Sequence, residues 1–233
     1  MQATSDYNSI RSIAYFIPAL NLTMAVRVGI TAFMVSSAKG ISNETLFRAA
    51  GGVPLAVQLV EYILAVACFV MLYRLADAHV WIDISNTMFL CYMLSSVAVR
   101  VVEWVAYKLD PSGVAKTVFL VTGEVPLVFI LLGVSFFING MKDVYPEILE
   151  KSEAKQRACA WARGFWILGM CLLILAELLL EIFILHLKFS TVMPYRIISF
   201  VLAILFLLSC IPFTLRIQNF CYSYYMFCYN RGR

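Results

Sequence analysis

Arg27, Glu61, Arg100, Glu124, Glu177 and Glu181 are ionisable side chains set inside long apolar runs. A charge at mid-bilayer costs roughly 2.5–3.5 kcal/mol on insertion scales. It persists there when it is paired, hydrated or able to reach the headgroups. Glu177 and Glu181 are four residues apart, so they share a helical face. Two carboxylates on one face repel unless a cation lies between them or one is protonated. Arg27 and Arg100 are the available partners. With all groups ionised the set is net negative, which suits a cationic solute, a proton or a metal cation. These six residues are therefore the expected ligand-binding set. They also read as salt bridges between helices, because polar contacts add to packing within membranes.

Other chemistry has little to stand on. The chain lacks the H-E-x-x-H zinc motif, the G-x-S-x-G nucleophile elbow and a glycine-rich phosphate loop. Its 7 cysteines include no C-x-x-C pair, and most lie in apolar runs, where a free thiol acts as a small hydrophobe. His79 and His186 are the 2 histidines and are far apart. No catalytic residues, no metal site and no cofactor are expected, and the chain does not read as an enzyme.

The elements that must carry the charges are helices. The chain has 233 residues, of which 62% are hydrophobic and 14% charged. Its mean hydropathy is +0.86. Soluble domains are nearer half apolar and a quarter charged. Apolar runs cover residues 13–36, 45–73, 84–108, 115–138, 164–187 and 195–217. Each is long enough to cross a hydrocarbon core of about 30 Å. The fold class is an all-α integral membrane protein of six transmembrane helices, one polytopic domain over residues 1–233. Pro54 and Pro126 fall inside the second and fourth runs, where a proline kinks a helix. Residues 139–163 form a charged loop, and 218–233 an aromatic interfacial tail extending the sixth helix. Ser36-Ser37-Ala38 resembles a signal-peptide cleavage site, but Arg27 interrupts the apolar region before it.

Counting along these helices at about 1.5 Å per residue puts Arg27 and Arg100 about 12–14 Å below one membrane boundary. Glu124, Glu177 and Glu181 share that layer, with Glu124 well inside the fourth helix. Glu61 is level with them if the second helix starts late.

The layer is paralleled by a repeat. Met24-Ala25-Val26-Arg27-Val28 matches Val97-Ala98-Val99-Arg100-Val101, and Gly52-Val53-Pro54-Leu55 matches Glu124-Val125-Pro126-Leu127. The offsets are 73 residues for the arginine and 72 for the proline. This predicts duplicated helix hairpins, helices 1–2 and 3–4, in the same orientation. Biased composition alone can also produce such likeness.

Six spans place both termini on one side. Lysines and arginines number 10 on that side and 6 on the other, leaving out the two within spans. The bias favours cytoplasmic termini and a cytoplasmic 139–163 loop in the cell (inner) membrane. Partners expected are the lipid bilayer, a small solute or cation, and a protein at the 139–163 loop. The net charge of +4 is scattered, so nucleic acid is not expected. The function expected is binding or transport of a small, cationic solute through the Arg/Glu layer. The alternative is a membrane sensor or an accessory or assembly subunit, with the same charges as structural salt bridges.

Overall fold

A computed structural model describes residues 2–37, 43–75, 80–109, 122, 124–144, 153–186 and 192–231. Among these there are six helices and no strand. They are α1 (Gln2–Ser37), α2 (Asn43–Tyr73), α3 (Val80–Leu109), α4 (Val125–Val144), α5 (Glu153–His186) and α6 (Val192–Arg231). Helices are the natural answer for such a chain. In hydrocarbon every backbone N–H and C=O must find a partner within its own segment.

Five helices hold stretches long and apolar enough to cross a membrane: Tyr7–Ile30, Ala56–Tyr73, Val80–Val102, Cys159–Leu179 and Ile197–Phe220. α4 contributes the shorter apolar stretch Val125–Met141. Large apolar side chains such as Leu59, Ile63, Leu94, Leu208 and Leu215 face outward all along the bundle. A surface this greasy belongs against lipid. The architecture is that of a helical, multi-span membrane protein.

The helices overrun the apolar runs. α6 has 40 residues, about 60 Å at the usual rise, so the aromatic tail is a continuation of the sixth helix. The charged 139–163 segment is helical at both flanks: α4 runs on through Asn139 and Gly140 to Val144, and α5 starts at Glu153. Its middle, 145–152, lies outside the described residues, as does 115–121 of the fourth apolar run.

Pro126 departs from the sequence expectation. It sits in the first turn of α4, and the Leu127 N–H donates to the Glu124 carbonyl at 3.1 Å. A proline in the first turn of a helix is well tolerated, because its fixed φ suits the helix and the first N–H groups of a helix need no partner within it. Glu124 stands in a turn immediately before this helix, and the depth expected for it from the run starting at 115 rests on residues outside the described ones. α2, in contrast, runs through Pro54.

Consecutive helices pack side by side, and α6 returns to α1, so the six neighbours close a ring with α1 also touching α5. Small residues allow the closest approaches, as is usual between spans. A Cβ at Gly140 would come within 2.7 Å of Ile82 Cγ1, and one at Gly169 would collide with the Ser209 side chain. The Ser85 hydroxyl donates to the Gly133 carbonyl at 2.7 Å, tying α3 to α4. On the other side of the bundle, Trp166 of α5 lies 5.3 Å from the Phe213 ring of α6. One continuous apolar core joins all six helices.

Candidate functional site

Arg27 is carried near the end of the apolar stretch of α1, with the fully buried Met24 and Val28 on the same helix. Its guanidinium reaches two other helices. Nε donates to Glu61 Oε1 of α2 at 3.0 Å. Nη1 and Nη2 donate to Glu177 Oε2 and Oε1 of α5 at 3.1 and 2.6 Å. The second contact is the parallel two-bond fork that makes an arginine–carboxylate pair both strong and directional. Side-chain exposure is 14% for Arg27, 1% for Glu61 and 10% for Glu177, so little water competes.

The topology explains the meeting. In an up-and-down bundle the end of α1, the start of α2 and the end of α5 lie at one membrane face. Glu61 is level with Arg27 although α2 itself begins at Asn43, because the apolar stretch of α2 starts only at Ala56. Tyr92 of α3, 4% exposed, lies within electrostatic range of all three charges.

Arg100 has a different surrounding. It is exposed on α3, and its Nη2 donates to Gln58 Oε1 at 2.8 Å. Gln58 lies one turn before Glu61 on α2, so α2 is flanked by Arg27 on one side and Arg100 on the other. Arg100 is also within electrostatic range of Glu61. The repeated phrase thus brings both arginines to one helix, but the chemistry is not duplicated. The position 72 residues after Glu61 is Gly133.

Glu124 is buried at the start of α4, at the same end of the bundle. A carboxylate there faces the positive end of the helix dipole. Glu181 lies one turn beyond Glu177 on α5, and its side chain falls outside the described residues. Sequence reasoning did not single out Tyr92, because a tyrosine in an apolar run reads as core filling.

Chemically the cluster can hold helices, hold one positive charge, or hold a proton. One guanidinium meets two carboxylates, so the trio carries a net charge of minus one when all are ionised. Among the described residues no group of three His, Cys, Asp or Glu is placed to hold a metal ion. The cavities between α1 and α6 and between α4, α5 and α6 have none of Arg27, Glu61 and Glu177 in their walls. No protein-family model, curated protein or solved structure matches the chain.

Proposed function

We propose that this chain is a non-enzymatic, multi-span membrane protein in which Arg27, Glu61 and Glu177 clamp three helices together. Such a clamp suits a membrane sensor or an accessory subunit of a larger membrane complex. The observation that carries this is the use of the guanidinium: all three of its nitrogens are committed to carboxylates on two other helices. A ligand entering there would have to displace bonds already made at good geometry.

The residual negative charge favours a second reading, in which the trio binds a small cation or exchanges a proton during solute handling. The two readings separate on thermal unfolding of the purified protein. With a structural clamp, Glu177→Gln lowers stability by about 3 kcal/mol, the order found when one partner of a buried pair is removed. Glu61→Gln costs less, since it removes one bond and not the fork. Alkali, alkaline-earth and small organic cations then leave the wild type unchanged. A cation that raises the wild-type Tm but not that of Glu177→Gln transfers the site to solute handling.

A further inference from the structure

At the end of the bundle that carries both chain termini, three apolar stretches stop at one level. That of α4 ends at Met141, that of α6 ends at Phe220, and that of α5 begins at Cys159. Two adjoining cavities of about 220 and 380 Å³ lie there and share Ile138 and Cys159. The smaller has Arg216, Asn219, Tyr222 and Ser223 in its walls, together with the buried Phe213 and Phe220. The larger has Asn139, Arg163 and Gly164.

Arg163 and Arg216 are both exposed. Arg163 donates from Nη1 to Asn139 Oδ1 at 2.9 Å. That bond steadies the guanidinium and leaves further N–H groups of its fork for a ligand. A Cβ at Gly164 would meet nothing within 4 Å, so α5 leaves open space one residue from Arg163. Among the described residues no carboxylate is in the walls of either cavity. Asp143, one turn beyond Asn139, borders neither.

The chemistry is that of an anionic head on an apolar body. Guanidinium groups bind phosphate oxygens through paired, directional N–H bonds. Basic pockets between spanning helices at headgroup level attract anionic lipids. A free phosphate would leave the aromatic walls unused. We propose that the cleft between α4, α5 and α6 binds the phosphate headgroup of an anionic phospholipid. Arg163 and Arg216 hold the phosphate, and an acyl chain lies against Phe213 and Phe220. This site is separate from the Arg27 cluster, which lies at the opposite end of the bundle.

The test uses the full chain purified in detergent with added phosphatidylglycerol, read by retained lipid in native mass spectrometry and by Tm. The wild type retains phosphatidylglycerol over phosphatidylcholine. The double variant Arg163→Gln, Arg216→Gln retains it on the order of tenfold less. The double variant Arg11→Gln, Arg74→Gln, which removes the same charge at the same end of the bundle, retains it like the wild type. Equal weakening in both double variants would mean diffuse attraction and overturn the site. Inorganic phosphate stabilising as well as phosphatidylglycerol would overturn the lipid in favour of a soluble anion. Two further variants stand should the first double variant not fold: Arg216→Gln alone, and Gly164→Phe, which fills the larger cavity. Each lowers lipid retention, and wild-type retention in both overturns the proposal.

Discussion

Arg27 has three helices to choose among, and it joins the two that offer carboxylates at its own depth. Asn21, two turns earlier on α1, is its counterexample. It is 1% exposed, and neither its Nδ2 nor its Oδ1 finds a hydrogen-bond partner among the described residues. It borders an apolar cavity of about 190 Å³ against α6 that also includes Pro18. An unpartnered buried amide costs about 1–3 kcal/mol. Asn21→Leu therefore raises stability by about 1 kcal/mol or more, read as an upward shift in Tm. A downward shift would show that the amide serves a partner, such as a water held in the cavity. Both residues are polar groups in one apolar run, and neighbouring sequence does not tell them apart. Depth and rotation about the helix axis do.

Between elements, contact is set by the smallest side chains. Gly169 lets α5 lie directly on Ser209 and Phe206 of α6. Gly164, one and a half turns earlier on the same helix, faces open space. Gly169→Val should cost about 1–3 kcal/mol by overpacking. Gly164→Ala should be neutral or slightly stabilising, because alanine is the better helix former. Thermal unfolding of the two variants side by side checks this, and equal effects would place the α5–α6 contact elsewhere. The same scale shows how far helix ends can be read from hydropathy. The six apolar runs foretold six helices, yet α1 begins at Gln2 and α6 continues to Arg231. Hydropathy marks where lipid ends, whereas a helix stops only where its backbone bonding does. Pro126 was visible as a proline in an apolar run. That it opens α4 depends on where the helix starts, which the run does not mark.

For the whole molecule, the outward face is the test of the environment. Cys171 is exposed near the middle of the Cys159–Leu179 stretch, while Cys68 and Cys210 are buried. A charged reagent does not enter hydrocarbon, so it cannot reach a thiol that faces lipid. A variant keeping only Cys171 should resist a charged maleimide in lipid nanodiscs and react once unfolded in dodecyl sulfate. Rapid labelling in nanodiscs would put water on that face and count against a spanning α5.

The amino-acid sequence by itself determined a helical membrane protein, its six apolar runs, and the charges that lipid would make costly. These follow from local transfer energies, which add residue by residue along each run. It also put Arg27 and Glu177 in one layer, together with Arg100, Glu124 and Glu181, because depth can be counted along a helix, and it put Glu61 there only if the second helix started late. Only the tertiary structure decided that Arg27 forks onto Glu177, that Arg100 turns to Gln58, and that Glu124 stands at a helix start. Those outcomes depend on how each helix is rotated about its axis and which neighbour it packs against. Both are collective properties of the closed ring, and no single apolar run contains them.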